Sequence, residues 1–254
     1  MDKAFVFPAD RFDKPGRALA NMWVTSSCPL LAETLAVMSF DVVTLDAQHG
    51  LTDDVLVANS VRAIQAAGSV AFVRLADSNG AHVGRILDFG AQGIICPMIN
   101  TAEDARRLIE ACRYPPLGNR SFGPVRAGLH DPVDYFSRAN DGIVVLAMVE
   151  TAEALRNVDQ ILAVDGISGV YLGPVDLSIS LGLGLPFPRA SDDLVASILK
   201  VRDACQRAGK WAAVHQVPGH PATYWVQEGF NFVTLGMDFE FLRRSAAQEL
   251  AQFS

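Results

Sequence analysis

Glu150 and Asp176 each close a short apolar run, residues 143–149 before the first and 169–175 before the second. A carboxylate at the end of a buried strand is costly unless something neutralises it. One strand, one helix and their turns separate the two. That spacing sets two carboxylates side by side at the rim of a parallel β/α sheet or barrel, where the pair can hold a hard divalent cation. Helix capping is the competing reading, because Thr151-Ala152-Glu153 and Leu177-Ser178 continue into helical pattern. Other polar residues close apolar runs in the same way: Asp46-Ala47-Gln48-His49-Gly50 after the second, Arg74 in the third, Gly173-Pro174-Val175-Asp176 after the sixth and His215 after the seventh. A metal to polarise, an arginine to hold negative charge and a histidine to move a proton make a site for a small anionic oxo acid.

These residues need a scaffold that brings strand ends to one face. Eight apolar runs of strand length occur at 18–25, 41–45, 71–75, 93–98, 143–149, 169–172, 211–214 and 232–235. Between them lie stretches of helical period at 30–38, 55–67, 81–89, 102–112, 152–164, 194–208, 221–228 and 239–252. Continuous rather than alternating apolar strands signal burial on both faces, as in a parallel sheet wrapped by helices. Gly90, Gly166, Gly209 and Gly229 stand where helices stop. The pattern and a length of 254 residues predict one (β/α)8 barrel domain spanning the chain. The stretch 114–132 holds Pro115-Pro116, Gly118, Gly123-Pro124 and Gly128 and predicts a long irregular loop with a functional role.

Composition excludes several classes. Net charge is −7 with no basic run longer than Arg106-Arg107 or Arg243-Arg244, which argues against a nucleic-acid partner. No apolar run nears the ~18 residues of a membrane span, and the first residues carry no secretory h-region, so a cytoplasmic protein with no membrane partner is expected. Cys28, Cys96, Cys112 and Cys205 are too widely spaced for a zinc knuckle, and they read as free thiols.

The strings Asp46-Ala47-Gln48-His49, Leu87-Asp88-Phe89-Gly90-Ala91-Gln92-Gly93, Pro97-Met98, Arg113-Tyr114-Pro115-Pro116-Leu117-Gly118, Glu150-Thr151 and Gly173-Pro174-Val175-Asp176-Leu177-Ser178 closely resemble the HpcH/HpaI family of metal-dependent pyruvate aldolases, which includes the 4-hydroxy-2-oxoheptanedioate aldolases. The resemblance runs in one register from about residue 18 to residue 240. It implies a barrel of the phosphoenolpyruvate/pyruvate superfamily that assembles as a homo-oligomer, commonly a hexamer, with the terminal helix 239–252 packed on a neighbouring subunit. It implies reversible cleavage of a 4-hydroxy-2-oxo acid to pyruvate and an aldehyde, with Mg2+, Mn2+ or Co2+ on Glu150 and Asp176. Pyruvate would chelate that metal in the pocket walled by Gly173, Pro174, Val175 and Met148, its carboxylate also meeting the N–H groups of Val175 and Asp176. Arg74 would stabilise the enolate oxygen, and His49 would be the general base with Asp88 fixing its tautomer. No strand end supplies a Schiff-base lysine, since Lys210 precedes the seventh strand.

Two departures from the family pattern bear on specificity: Gln48 replaces a glutamate of many relatives, and Met148 replaces a glutamine, which leaves that wall apolar. His215 stands where some relatives carry a leucine, and with Arg120 and Arg126 of the 114–132 loop, in the same or a neighbouring subunit, it would face the aldehyde. The residues alone leave blander roles open. His49 could cap a helix near Thr52, Arg74 could pair with Asp77, Asp88 could be a solvated helix-end carboxylate, and His215 could be a packed strand residue. A lyase acting on an acyl-CoA ester and a non-catalytic barrel that binds a metal–oxo-acid complex are the alternatives to an aldolase. The set of titratable groups speaks against the second of these.

Overall fold

A computed structural model describes residues 6–8, 17–26 and 28–253. The eight apolar runs form β1 (Leu19–Val24), β2 (Val42–Asp46), β3 (Val70–Arg74), β4 (Gly93–Cys96), β5 (Val144–Val149), β6 (Gly169–Leu172), β7 (Trp211–Val214) and β8 (Phe232–Met237). Each pairs in parallel with the next and β8 closes on β1, giving a (β/α)8 barrel. The residues from Val42 to Leu172 in β2 to β6 are buried without exception, so both strand faces are covered. Outward side chains such as Val43, Val73 and Ile94 pack under the helices, while Phe72, Ile95, Leu146, Tyr171 and Phe232 fill the barrel interior. Burying each of these large side chains stabilises the fold by roughly 1.5–3 kcal/mol. Near the amino ends of the strands Phe72 stacks on Phe232 at 5.7 Å, and Phe7 closes the base with its ring 5.3 Å from Trp211. The interior leaves room for Phe72 only because position 93 is a glycine: a Cβ there would sit 2.4 Å from the phenyl ring.

The helices are α1 (Pro29–Ala36), α2 (Asp54–Ala66), α3 (Gly80–Asp88), α4 (Ala102–Cys112), α5 (Pro132–Gly142), α6 (Ala152–Arg156), α7 (Val158–Leu162), α8 (Pro174–Ser180), α9 (Asp192–Ala208), α10 (Ala222–Gln227) and α11 (Asp238–Phe253). The single helix expected over 152–164 is broken at Asn157, whose side chain reaches across to the carbonyl of Asn100. Sequence reading also passed over α5, which follows the long loop and starts at the Asp131 cap and Pro132. In α11 only Asp238 is buried, and Phe239, Leu242, Leu250 and Phe253 are exposed. No described helix is long and apolar enough to cross a membrane.

Candidate active site

Register between neighbouring strands builds the first part of the site. Asp46 and Arg74 end β2 and β3 opposite each other in the ladder. Arg74 donates from Nε to Asp46 Oδ1 at 2.9 Å and from Nη2 to Oδ2, a two-point pair between buried groups. Trp23 of β1 donates its indole N–H to Oδ2 at 3.2 Å, and the backbone N–H groups of Gln48 and His49 close on Oδ1 at 3.0 and 3.1 Å. Burial opposes the charge of Asp46, but the hydrogen bonds and positive charge of Arg74, with the His49 and Trp23 donors, outweigh it and hold the carboxyl below its ordinary range. The guanidinium lies over the Trp23 ring at 5.0 Å. Arg74 is thus fixed in orientation by Asp46, and Asp77 is not its partner.

The carboxylate pair occupies the ends of β5 and β6, and neither member caps a helix. Thr151 caps α6 by accepting from the N–H of Ala154, and Gly173 holds the cap position of α8, with Asp176 in its first turn. Glu150 is buried and accepts the Met98 N–H on Oε1 at 2.8 Å; Met98 holds a left-handed φ of 56° to aim it. Burial lifts the Glu150 carboxyl above its ordinary value, the Met98 N–H opposes this, and the charge of Asp176 lifts it further. Glycine at 173 allows the approach, since a Cβ there would lie 2.6 Å from Met148 Cε and 3.0 Å from Glu150 Oε2.

Arg74, Met148, Gly173, Pro174, Val175, Asp176 and His215 line one cavity of ≈ 130 Å³ together with Trp23. It lies at the carboxyl ends of the strands, where barrel enzymes work. His215 is wedged between Trp23, 4.8 Å away edge-on, and Tyr171, whose hydroxyl is 2.8 Å from Nδ1. Burial, reinforced by the charge of Arg74, pushes its imidazole down to about 4, so it is neutral at physiological pH.

The remaining residues expected at the site lie elsewhere in the chain. His49 sits on the exposed turn after β2, outside the cavity lining, and does not cap α2, which Asp53 does. Asp88 makes no hydrogen bond to His49; its Oδ1 accepts from Arg120 Nη2 at 2.7 Å, and burial lifts its carboxyl against the pull of that arginine. The reason is directional. Helix α3 starts near the mouth and its nine residues run back toward the base, roughly 13 Å at 1.5 Å per residue, with Asp88 at the far end. The expectation that Arg120 and Arg126 face His215 within one chain fails for the same reason. Arg120 has no exposed side-chain surface and lies 4.5 Å from the Tyr114 ring, and Arg126 donates to Gln65 Oε1 and to the Phe89 carbonyl. Lys210 binds the Leu162 and Val164 carbonyls at the amino end of β7, away from the mouth. Sequence reasoning assigned no role to Asp46 or Trp23. The position of Asp46 at the end of β2 was a usable signal; nothing local marked Trp23, which acts through strand register.

Aldolase-type lyase chemistry is what this mouth supports. The chain belongs to the HpcH/HpaI aldolase/citrate lyase family, whose profile matches residues 19–245. It is 39% identical to a hydroxypyruvate/pyruvate aldolase of Rhizorhabdus wittichii, covering 93% of this chain and 94% of that protein. A 2-keto-3-deoxy-L-rhamnonate aldolase of Salmonella gallinarum is 34% identical, with 94% and 90% covered. Among solved structures, a HpcH/HpaI aldolase/citrate lyase family protein from Burkholderia cenocepacia superposes with a TM-score of 0.89 at 27% identity, covering 96% of this chain and 97% of the other.

Proposed function

We propose that the protein reversibly cleaves a 4-hydroxy-2-oxo acid to pyruvate and an aldehyde through the pyruvate enolate. One observation carries this reading: Asp176 and Arg74, the latter locked by Asp46, line one cavity, and the buried carboxylate Glu150 stands directly behind its Gly173 wall, close enough to feel the charge of Asp176. Two repelling carboxylates, one of them Glu150 with an Oε2 that accepts no hydrogen bond among the described residues, suit a hard divalent cation. Among the described residues no group of three or more His, Cys, Asp or Glu side chains gathers, so Glu150 and Asp176 would leave coordination positions for an oxo acid and water. Such a cation, Mg2+, Mn2+ or Co2+, would supply a Lewis acid for the keto oxygen. Arg74 then holds the negative charge of the enolate with a donor that needs no reorientation. The Val175 and Asp176 N–H groups, in the first turn of α8 where no described side chain caps the helix, meet the oxo-acid carboxylate, with Gly173 and Pro174 shaping that wall. Met148 adds an apolar surface against the methyl or methylene carbon.

His49 takes the C4 hydroxyl proton. Its orientation by Asp88 requires a second copy of the chain, because the two are apart within one copy; Arg126 of the loop would reach the aldehyde end only in the same way. A homo-oligomer, a hexamer in the family pattern, with α11 covering a neighbour, fits the exposed apolar residues of that helix. The names of the two aldolase relatives support pyruvate or hydroxypyruvate as the enolate half and an oxygen-rich aldehyde as the other. Pyruvate release from a panel of 4-hydroxy-2-oxo acids, with and without EDTA, tests the reading. Metal-dependent release is expected; release that ignores EDTA, or none from any member of the panel, refutes it.

A further inference from the structure

Behind His215 a row of buried polar side chains crosses the barrel interior. Thr44 Oγ1 donates to Asn21 Oδ1 at 2.7 Å, Asn21 Nδ2 donates to Thr234 Oγ1 at 2.8 Å, Thr234 Oγ1 lies 2.7 Å from Tyr171 Oη, and Tyr171 Oη lies 2.8 Å from His215 Nδ1. The row has no water-exposed member before the histidine: Thr44, Asn21 and Tyr171 are fully buried and Thr234 is 1% exposed. A buried hydroxyl proton without an acceptor costs free energy, so the direction of the row follows from where each proton can go.

Three hydroxyls each have one proton to place. If Thr44 donates to Asn21, then Asn21 donates to Thr234, Thr234 to Tyr171 and Tyr171 to His215 Nδ1, and every hydroxyl proton has an acceptor. If the row runs the other way, with the Asn21 amide turned over, His215 donates from Nδ1 and the Thr44 proton at the far end has no acceptor among the described residues. If only the outer half reverses, the Thr234 proton is stranded instead. This count assigns the tautomer.

We propose that Tyr171 is a positioning residue that holds His215 with Nδ1 as acceptor and Nε2–H directed at the cavity, as a fixed neutral hydrogen-bond donor for an oxygen on the acceptor aldehyde. This rests on the aldolase reading for the identity of the ligand, but not for the tautomer. Two consequences follow. His215 has no lone pair to offer substrate, so it does not compete with His49 as a base. The donor also selects the substrate class: a small aldehyde bearing a hydroxyl or carbonyl oxygen next to the reacting carbon satisfies Nε2–H, whereas a plain alkyl aldehyde leaves it unpaired beside apolar Met148 and Trp23. A cavity of ≈ 130 Å³, roughly four water volumes, keeps that partner short or open toward the rim.

Long-range proton–nitrogen NMR of the protein with isotope-labelled histidines, the His215 signals identified by their loss in His215→Gln, reads the tautomer without any substrate. The expected wild-type spectrum shows a bare Nδ1 and a protonated Nε2, and Tyr171→Phe moves the Nδ1 resonance as an acceptor that has lost its donor. In steady-state assays Tyr171→Phe and His215→Leu should lose roughly tenfold of the kcat/KM preference for hydroxylated over alkyl aldehydes, the worth of one neutral hydrogen bond. His215→Gln, which keeps an N–H in the same direction, should retain most of it. A protonated Nδ1 in the wild type, or an Nδ1 resonance and an aldehyde ranking both unmoved by Tyr171→Phe, overturns the proposal. Absence of pyruvate exchange in the wild type would instead overturn the aldolase reading and leave the tautomer result standing.

Discussion

Replacing Asp46 by Asn is the sharpest test of how the site is held. Five donors converge on that carboxylate: the Arg74 Nε and the Gln48 and His49 N–H groups on Oδ1, and the Arg74 Nη2 and the Trp23 indole on Oδ2. Asparagine has the same shape but only one accepting atom. In its better orientation the amide nitrogen faces Trp23 and Arg74 Nη2, which strands two donors, one of them charged, where side-chain exposure is 9% for Arg74 and 2% for Asp46. Removing one partner of a buried ion pair costs about 3–5 kcal/mol. The pH dependence has a definite sign. Because the native carboxyl is held below its ordinary 3.8, its contribution is fully present above that value and is lost as pH falls through the native value. The stability gap between wild type and Asp46→Asn, measured by urea denaturation, should therefore be widest near neutrality and shrink as pH drops below about 3.8. Released from its clamp, Arg74 should also serve the enolate less well, and pyruvate methyl exchange should fall roughly 10²-fold to 10³-fold, as when one preorganised oxyanion donor is removed. Stability within about 0.5 kcal/mol of wild type together with full exchange would refute the clamp, since that is the range of changes at unimportant surface positions.

Glu150→Ala should abolish both divalent-cation binding, read by calorimetry, and aldol cleavage while leaving the circular dichroism spectrum intact; an active variant indifferent to EDTA would rule out the metal. His49→Ala should lower turnover by roughly 10²-fold to 10⁴-fold, the contribution of a general base, with pyruvate still bound. Full turnover there would place proton removal on another group. Gly93→Ala drives a methyl to 2.4 Å from the Phe72 ring and should destabilise the barrel by about 1–3 kcal/mol without altering the relative kcat/KM of different aldehydes. A stable Gly93→Ala protein would show that the base of the barrel can repack around Phe72.

The barrel was legible in the chain because its strands are buried on both faces, which demands unbroken apolar runs that no surface strand would carry. The place of Glu150, Arg74, Asp176 and His215 at the carboxyl ends of the strands was legible for a related reason: each closes or directly follows such an apolar run. Tertiary structure alone decided the rest. The Trp23–Asp46–Arg74 clamp joins three strands through register, and register is set by closure of the whole barrel. The row from Thr44 through Asn21, Thr234 and Tyr171 joins residues up to 213 positions apart, and no local pattern marks it. Asp88 shows the converse. Its place before Phe89-Gly90 at the end of a helix was visible in the chain, but only the direction of α3, running from mouth to base, parts it from His49 and gives it to Arg120. A strand end points a side chain into the site by itself, whereas a helix end reaches a site only where the packing of the next layer, or of the next copy of the chain, brings it.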